Sequence, residues 1–463
     1  MSATREPPAP KALPDIFKAY DVRGLVPEQL NAHLAGSVGV AFVRVTGSAG
    51  GSVVVGHDMR PSSPGLAKAF AEGAASAGAD VVMIGLASTD QLYFASGRMG
   101  FPGAMFTASH NPAQYNGIKL CRARAVPVGM DTGLSEIRDL VASGEVLASR
   151  PAGDRSGEIT EVDVLSDYAD HLVSLVPVKG RRLKVVVDAG NGMAGHTAPA
   201  VLGLVDVDLV PMYFELDGTF PNHEANPIDA ANMRDLQERV REVHADLGLA
   251  FDGDADRCFL VDERGEIVNP SVLTALIATR ELEKEPGATV IHNLITSRAV
   301  PELVSELGGV PVRTRVGHSF IKATMAETDA IFGGEHSGHF YFRDFWRADS
   351  GMLAALHALA ALSSSEQTMS SLLAGYSRYV SSGEINSEVG DQDAALREVE
   401  KQYAEEVGVS IDHLDGLTVI HDQWWFNVRA SNTEPLLRLN VEGVDEAAMT
   451  RVRDDVLATI STQ

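Results

Sequence analysis

The amino-acid sequence predicts an α/β protein with three similar mixed-sheet α/β domains and a C-terminal α+β domain around a central cleft. The first observation is length, since 463 residues exceed what a single hydrophobic core usually organises. The second is a pattern of short β-branched runs and helical stretches that recurs along the chain. The third is a C-terminal region in which strands follow one another closely. With a hydrophobic share of 45%, these features indicate a multidomain globular protein.

The recurring pattern consists of an apolar run, a polar or glycine-rich turn, a helical stretch rich in Ala and Leu, and a second apolar run. The apolar runs are too short for helices and alternate with helical segments. This alternation predicts βαβ units on parallel or mixed sheets that are buried on both faces. The first runs begin at Val53, Val185 and Thr289, and the second runs are residues 80–84, 208–210 and 310–312.

From about residue 369 the pattern changes to a predicted helix near Asp393–Val407 and then closely spaced strands. Strands with helices on each side predict a small antiparallel α+β domain. These strands are expected at residues 417–420, 424–428 and 436–441, before a closing amphipathic helix. The predicted domains are residues 1–157, 158–264, 265–368 and 369–463. Because ligand sites favour domain interfaces, we expect the four domains to meet around one cleft.

The charge balance argues against two classes of partner. With 38 basic and 63 acidic residues, the formal net charge of −25 would repel nucleic-acid phosphates and acidic membrane surfaces. No block of Lys or Arg offsets this charge, so neither nucleic acid nor membrane is an expected partner. An anionic small-molecule substrate stays compatible, because a few arginines in a cleft can overcome a distant, screened field.

The cysteines and the N-terminus predict a cytoplasmic location. The spacing of Cys121 and Cys258 is typical of neither a disulfide framework nor a zinc site, which favours a reducing compartment. Residues 1–10 contain no apolar run behind a basic start, and no stretch of about twenty apolar residues follows. We expect residues 1–10 to be a short disordered lead.

The segment Gly103–Pro112 predicts a strand that leads into a loop carrying Ser109. Asn111 and Pro112 would end regular structure, which puts the serine at a strand exit, where side chains meet ligands in α/β folds. A serine that only caps a turn amide is the structural alternative. A Ser-His-Asp esterase is a second alternative, although the segment lacks the Gly-x-Ser-x-Gly elbow of hydrolases.

The second candidate segment carries Asp252, Asp254 and Asp256 between two apolar runs. Three carboxylates at alternate positions would raise one another's pKa unless a cation neutralised them, and hard oxygen ligands in this number suit Mg²⁺. An EF-hand is one alternative, because Glu263 stands at the twelfth place. It lacks the required glycine at the sixth place, which is Arg257, and strands flank the loop. A solvated acidic turn is the other alternative.

The glycine-rich segment Gly333–His339 predicts a loop that carries a carboxylate, a hydroxyl and two imidazoles. The Glu335 carboxylate is suited to accept two vicinal sugar hydroxyls. His336 and His339 could instead be zinc ligands, but no Cys or third close His supports zinc.

A fourth segment, Arg429–Pro435, joins two predicted strands and carries a guanidinium, two hydroxyls and an amide. This set satisfies the many acceptor atoms of a phosphate dianion, with the arginine supplying the charged fork. A hairpin loop rich in turn residues is the structural alternative.

Together these four segments closely resemble the motifs of the α-D-phosphohexomutase superfamily, in particular its bacterial phosphomannomutase/phosphoglucomutase type. They occur in the family's order and span almost the whole chain. Further matches are Phe17–Gly24, Asp217–His223 and Val316–Phe320. The sequence departs from the family at Ser88-Thr89-Asp90, where proline usually follows the threonine. The departure leaves the shape of one turn open, and we expect it to touch no chemistry.

The resemblance implies roles for individual residues. Ser109 would donate and accept the phosphoryl group, and its phosphate oxygen would complete a magnesium site formed by the three aspartates. The implied catalytic residues are Ser109, Lys119, Arg23, His339 and Arg257. The implied metal ligands are Ser109, Asp252, Asp254 and Asp256. The implied substrate-binding residues are Tyr20, His318, Glu335, Ser337, Arg429, Ser431, Asn432 and Thr433.

The implied reaction interconverts hexose 6-phosphate and hexose 1-phosphate, with mannose and also glucose as the sugar. A hexose 1,6-bisphosphate would serve as intermediate and activator, and the protein would be a monomer or a dimer. Three other functions are weighed against this one: a phosphoglucosamine mutase, an inactive sugar-phosphate-binding regulator and a phosphatase. The regulator is expected to lack the serine or a metal ligand, and a closing cleft that excludes water argues against the phosphatase.

Overall fold

The computed structural model describes residues 13–144, 156–430 and 436–461. It divides into two compact units, one of Met1–Val268 with Ser337–Ser370 and one of Asn269–His336 with Ser371–Gln463. The predicted disordered lead lies outside the described residues. None of the helices in the described part of the chain is long and apolar enough to span a membrane.

The N-terminal part of the first unit is a seven-stranded mixed sheet with strand order β1-β5-β4-β2-β3-β7, and β6 pairs with β5. Its central strands are parallel, whereas β5 runs antiparallel to both β1 and β4. The strands are β1 (Asp21–Leu25), β2 (Ser52–His57), β3 (Asp80–Leu86), β4 (Gly103–Phe106), β5 (Tyr115–Arg122), β6 (Val126–Pro127) and β7 (Ile159–Glu161). The helices are α1 (Leu13–Ile16), α2 (Ala32–Thr46), α3 (Ser63–Ser76), α4 (Thr89–Met99) and α5 (Leu134–Ser143), with 3₁₀ turns at Ala123–Ala125 and Met130–Thr132.

The second sheet of this unit has strand order β12-β11-β10-β8-β9. Strand β10 is parallel to β8 and forms an antiparallel hairpin with β11, and all five residues of each hairpin strand are buried. The strands are β8 (Leu183–Asp188), β9 (Val207–Met212), β10 (Leu247–Phe251), β11 (Cys258–Asp262) and β12 (Ile267–Val268). The helices are α6 (Leu165–Leu175), α7 (Ala194–Leu202) and α8 (Arg234–Val243), with a 3₁₀ turn at Ala230–Met233.

In the second unit, β13 lies between β14 and β15 and is parallel to both. These strands are β13 (Thr289–Asn293), β14 (Val310–Thr314) and β15 (Phe332–Gly334), and the helices are α9 (Pro270–Lys284), α10 (Ala299–Glu306) and α11 (His318–Thr328). The chain then returns to the first unit with the antiparallel pair β16 (Phe340–Phe342) and β17 (Ala348–Asp349), a 3₁₀ turn at Arg343–Phe345 and helix α12 (Gly351–Ser363). Every residue of α12 is buried, as expected of a helix that is apolar all round.

The C-terminal part of the second unit is an antiparallel sheet with strand order β18-β22-β21-β20-β19. Its strands are β18 (Val380–Glu388), β19 (Ser410–Asp412), β20 (Leu417–His421), β21 (Trp424–Ala430) and β22 (Leu436–Gly443). The remaining helices are α13 (Met369–Leu373), α14 (Gln392–Tyr403) and α15 (Glu446–Ile460). Alternate strand residues and helix faces form one apolar core around Trp424 and Phe426.

The predicted fold class is confirmed, because three parallel or mixed sheets with helices precede a C-terminal antiparallel α+β sheet. The predicted strands of all three repeats are present, as are the helix near residue 393 and the closing helix. The division at Ser337 falls inside the predicted third domain, 265–368. The predicted domain boundaries and the shared cleft therefore stay predictions.

Candidate active site

The serine loop and the aspartate loop meet in the first unit. Ser109 lies in the loop after β4, and Asp252 begins the hairpin loop between β10 and β11. The Ser109 hydroxyl donates a hydrogen bond of 2.7 Å to Asp252 Oδ2, and both side chains are buried. Two segments separated by more than a hundred residues therefore form one buried polar centre.

Ser109 has an unusual backbone conformation. Its φ of 50° lies in the left-handed region, which costs a non-glycine residue on the order of 1 kcal/mol. The surroundings hold it there, since its N–H donates to Thr107 Oγ1 at 3.0 Å. A Cβ on Gly253 would lie 2.3 Å from the Ser109 carbonyl oxygen, so the close contact of the two loops requires glycine at 253.

The Arg60 side chain binds backbone carbonyl groups of the serine loop, and the sequence analysis did not identify it. Its guanidinium is fully buried and lies 3.2 Å from Asp58 Oδ2. It donates hydrogen bonds to the carbonyl oxygens of Ser109, Asn111, Pro112 and Tyr115 at 2.7–3.0 Å. The only signal in the sequence is the Asp58-Met-Arg60 triplet that follows β2, and such a triplet does not indicate its distant partners.

The three aspartates of the hairpin loop are arranged as a possible metal site. A carboxylate oxygen from each of Asp252, Asp254 and Asp256 lies within 4.8 Å of the others, and all three residues are buried. Asp254 Oδ1 and Asp256 Oδ1 have no hydrogen-bond partner. Buried carboxylate oxygens of this kind are the ligands that hard divalent cations prefer, so the residues fit a metal ion.

Lys119 on β5 reaches the same loop. Its Nζ lies 2.6 Å from both Asp254 Oδ2 and Asp256 Oδ2. Burial opposes its charge, but the two carboxylates hold the pKa of Lys119 well above its ordinary value. Burial would likewise raise the pKa of Asp254, and the ammonium brings it below the ordinary value. A cation was the stated condition under which the carboxylates would not raise one another's pKa, and for Asp254 the Lys119 ammonium is that cation.

Asp252 does follow the predicted direction. Burial, followed by the charges of Asp254 and Asp256, raises its pKa against the opposing effect of the Arg257 guanidinium. Arg257 Nε donates to Asp252 Oδ2 at 2.9 Å, and its Nη2 lies 3.5 Å from Ser109 Oγ. The arginine therefore contacts both the Asp252 carboxylate and the serine.

His110 is a further neighbour that sequence reasoning did not single out, although it directly follows the serine. Arg257 Nη2 donates to His110 Nδ1 at 2.5 Å. Burial and then the positive charge of Arg257 bring the pKa of His110 well below its ordinary value. Because Nδ1 accepts from the arginine, its lone pair does not serve as a base for Ser109, 3.1 Å away. This arrangement argues against the esterase alternative.

His339 is held between two carboxylates. Its Nδ1 lies 3.1 Å from Asp349 Oδ2 and 3.7 Å from Asp256 Oδ1. Burial favours the neutral ring, but Asp256 and Asp349 raise the pKa of His339. His339 also forms a β-bridge with Arg257, which fixes it beside the aspartate loop. Asp349 has no recognisable sequence signal and was not predicted.

Arg23, on strand β1, also contacts the serine loop. One guanidinium nitrogen donates to Asn111 Oδ1, and the other pairs with Asp21 at 2.6 Å. Strand pairing places Asp21 opposite Lys119, which explains why this arginine lies near the same centre. Tyr20 immediately precedes β1 and is half-buried.

Two alternative metal sites do not fit the described residues. Glu263, the twelfth residue of an EF-hand loop, instead accepts hydrogen bonds from Ser370 at 2.5 and 2.9 Å. The groups able to hold a metal in the described part of the chain are the aspartate triad and the set Asp256, His339 and Asp349. Neither contains His336, so the paired-histidine zinc alternative has no support.

The predicted sugar and phosphate residues fall into separate parts of the chain. Glu335 follows β15 and is buried, with Asn293 Nδ2 donating to its Oε2 at 3.2 Å. Arg429 on β21 donates to Glu384 Oε2 at 3.2 Å. His318 is the first residue of α11. Ser337 is half-buried in the first unit. Ser431, Asn432 and Thr433 lie outside the described residues.

Comparison with known proteins identifies the family of the chain. A phosphomannomutase from Escherichia coli is 40% identical over 96% of this chain and 98% of its own length. The chain belongs to the phosphoglucomutase/phosphomannomutase family. The family's alpha/beta/alpha domains I, II and III match residues 14–147, 166–265 and 269–379, and its C-terminal domain matches residues 384–459.

Two further relatives of this phosphohexomutase are similar along almost their whole length. A phosphomannomutase/phosphoglucomutase from Pseudomonas putida is 36% identical over 96% of this chain and 95% of its own. A crystal structure of a family protein from Burkholderia thailandensis has a TM-score of 0.87 and 33% identity, covering 96% of this chain and 97% of that one. The similarity therefore extends from the serine loop to the C-terminal domain.

Proposed function

We propose that this phosphohexomutase interconverts hexose 6-phosphate and hexose 1-phosphate by passing a phosphoryl group through Ser109. The observation that carries the proposal is the buried contact of the Ser109 hydroxyl with Asp252, inside a centre of three carboxylates and three basic groups. A serine used only as a turn cap would not need a left-handed backbone, a buried guanidinium beneath it and a carboxylate triad beside it.

The proposed reaction has two transfers. In the first, the bond from phosphorus to Ser109 Oγ breaks as a bond forms to the free sugar hydroxyl. The proton of that hydroxyl passes to a neighbouring basic side chain, and Ser109 Oγ takes up a proton. The resulting hexose 1,6-bisphosphate turns over and returns its other phosphate to Ser109. Lys119 and Arg257 carry positive charge beside the serine, so they would stabilise negative charge on the transferred group. His339 and Arg23 would contribute charge or a proton at the same place.

We propose Mg²⁺ as the metal, with Asp252, Asp254, Asp256 and an oxygen of phosphorylated Ser109 as its ligands. Carboxylate and phosphate oxygens are the ligands that Mg²⁺ takes, and two of the buried aspartate oxygens are free to bind it. When bound, the ion would offset the phosphate charge and polarise the transferring phosphoryl group. Lys119 already neutralises part of the negative charge of Asp254 and Asp256, so the ammonium and the ion would share these two carboxylates.

The non-reacting end of the substrate needs its own recognition groups. Glu335 and Ser337 are proposed to bind sugar hydroxyls, with Tyr20 and His318 assisting. Arg429 offers a guanidinium to the distal phosphate, together with Ser431, Asn432 and Thr433 of the same loop. A bisphosphate must bind in two orientations, so these contacts must accept either phosphate.

Both mannose and glucose phosphates are proposed as substrates. The two sugars differ only at carbon 2, whereas the family resemblance puts Glu335 and Ser337 on the hydroxyls of carbons 3 and 4. A site without a hydrogen bond to the differing hydroxyl has little means of rejecting the epimer. Poor use of glucosamine phosphate is proposed from the resemblance alone.

The partners proposed are hexose phosphates, without nucleic acid or membrane, for a cytoplasmic monomer or dimer. The net charge of −25 and the two buried free cysteines support this setting. The inactive-regulator alternative has less support, because the serine, the triad and the basic groups are all present. Release of free phosphate would distinguish a phosphatase.

A coupled assay tests the proposal directly. Purified protein is given mannose 1-phosphate, glucose 1-phosphate or glucosamine 1-phosphate with a trace of hexose 1,6-bisphosphate, and formation of the 6-phosphate is followed. We expect turnover of the first two and one phosphate on the tryptic peptide that contains Ser109. Glucosamine phosphate turning over fastest, or free phosphate as the main product, would contradict the proposed function.

A further inference from the structure

Asp90 is a buried carboxylate that the proposed mechanism does not use. It is the second residue of α4 and has no exposed surface. This is the position at which the sequence departs from the family's usual proline. A charged group placed at such a depth must be compensated by its neighbours, because burying an ion without partners is costly.

The compensation comes from hydroxyl groups on different segments of the first unit. Ser88 Oγ donates to Asp90 Oδ1 at 2.5 Å. Tyr168 of α6 and Ser350, the N-cap of α12, donate to Oδ2 at 2.8 and 2.6 Å. Burial raises the pKa of Asp90 to about 6 despite these hydroxyls. One carboxylate therefore ties α4 to α6 and to the junction between β17 and α12.

The junction between β17 and α12 includes Asp349, which contacts His339. Ser350 directly follows Asp349, whose carboxylate lies 3.1 Å from His339 Nδ1. The first residue of α12 packs closely on the aspartate loop, since a Cβ on Gly351 would lie 2.7 Å from the carbonyl group of Arg257. A shift of the junction would move Asp349 and, with it, the imidazole that it holds.

The residue before Asp90 contacts the aspartate loop itself. The N–H of Thr89 donates to the carbonyl oxygen of Asp254 at 3.0 Å, and its hydroxyl donates to Asp254 Oδ2 at 2.5 Å. The Ser88-Thr89-Asp90 turn therefore contacts the aspartate loop, although the departure from the family is at Asp90 and not at Thr89. The N-terminal turn of α4 lies between the aspartate loop and the segment that supports His339.

We propose that Asp90 is a positioning residue that fixes the β17–α12 junction so that Asp349 holds the His339 ring against Asp256. The proposal rests on the role of His339 in the proposed function. Proline at this position offers no acceptor for Tyr168 and Ser350, so a chain with that proline must fix the junction differently. Here the hydroxyl-bonded carboxylate performs that task.

The test is a double-mutant cycle on the full-length enzyme. We expect Asp90→Ala to lower kcat by about tenfold to a hundredfold, as is typical of residues that orient a catalytic group through another residue, with little change in KM. In the His339→Gln background, Asp90→Ala should lower kcat by less than about threefold, since the ring that it positions is gone. Asp90→Asn keeps the size and part of the hydrogen bonding, so it should restore part of the lost activity.

Asp246→Asn is the control for general destabilisation. Asp246 is partly exposed and accepts hydrogen bonds from Arg181 Nη1 and the Lys184 N–H, each at 2.7 Å, and these hold β8 rather than the active site. It should lower the unfolding temperature and leave kcat unchanged.

Equal fold-losses from Asp90→Ala in both backgrounds would overturn the proposal, as would a loss confined to KM. If the alanine variant does not fold, the same comparison is made with Asp90→Asn. Failure of the proposed function is distinguishable, because the wild-type protein would then lack mutase activity or His339→Gln would retain it in full.

Discussion

Replacing Lys119 by methionine should destabilise the metal-free protein and make its stability depend strongly on Mg²⁺. The Lys119 ammonium lies 2.6 Å from Asp254 and Asp256, and the side chains of both aspartates are at most 1% exposed. Methionine fills a similar volume without the charge. The two carboxylates would then stay buried without the ammonium that neutralises them.

The magnitude follows from the burial of the pair. Removing one partner of a buried ion pair typically costs about 3–5 kcal/mol, because the remaining charge is left uncompensated. In an unfolding scan this corresponds to a decrease of about 5 °C or more in Tm. The ammonium holds the pKa of Asp254 below its ordinary value, so its stabilising effect is present above the unfolded pKa and is lost as the pH falls through the folded value.

The assay is thermal unfolding of wild type and Lys119→Met in EDTA and in millimolar Mg²⁺ at neutral pH. A divalent cation can replace the missing ammonium, so Mg²⁺ should raise the Tm of the variant by more than that of the wild type. Lys68→Met is the matched control, because Lys68 is 73% exposed and pairs with Glu72 on the surface. This substitution should change neither the Tm in EDTA nor the increase in Tm that Mg²⁺ produces.

An equal response of Lys119→Met and wild type to Mg²⁺ would refute this reasoning. So would a variant as stable as wild type in EDTA, because the carboxylates would then not depend on the ammonium.

Three further outcomes are expected. Ser109→Ala should fold normally, show no phosphate on its serine-loop peptide and have no measurable turnover, whereas activity within tenfold of wild type would exclude a phosphoserine. Asp254→Asn should lower kcat by about a hundredfold or more, and EDTA should inactivate the wild type reversibly; full activity of metal-free protein would reject the site. Burial raises the pKa of Asp252 from its ordinary value of 3.8 to about 7, so its contribution to the stability of metal-free protein is full below about pH 4 and is lost as the pH rises through 7. Denaturant titrations between pH 5 and 8 should show this decline in EDTA and a smaller one in Mg²⁺, and equal slopes would contradict the assignment.

Several features could be predicted from the sequence because their signals are local. The β-branched runs that alternate with helical stretches predicted the strands β2, β8 and β13, since short apolar runs bounded by turns are typical of buried strands. Ser109 and the aspartates could be found because each lies at the end of such a run, inside a dense group of functional side chains. The C-terminal strands were predicted for the same reason.

Other features depend on contacts between residues far apart in the sequence, and these only the tertiary structure decided. Strand pairing places Asp21 opposite Lys119, and the sheet then brings Lys119 to Asp254 and lowers a carboxylate pKa that repulsion alone would raise. The roles of Arg60 and Asp90 could not be predicted from their local sequence, because both side chains bind carbonyl or hydroxyl groups of distant segments. A pattern of residue types along the chain records which groups are present, whereas their distances, burial and charges in the site follow from packing.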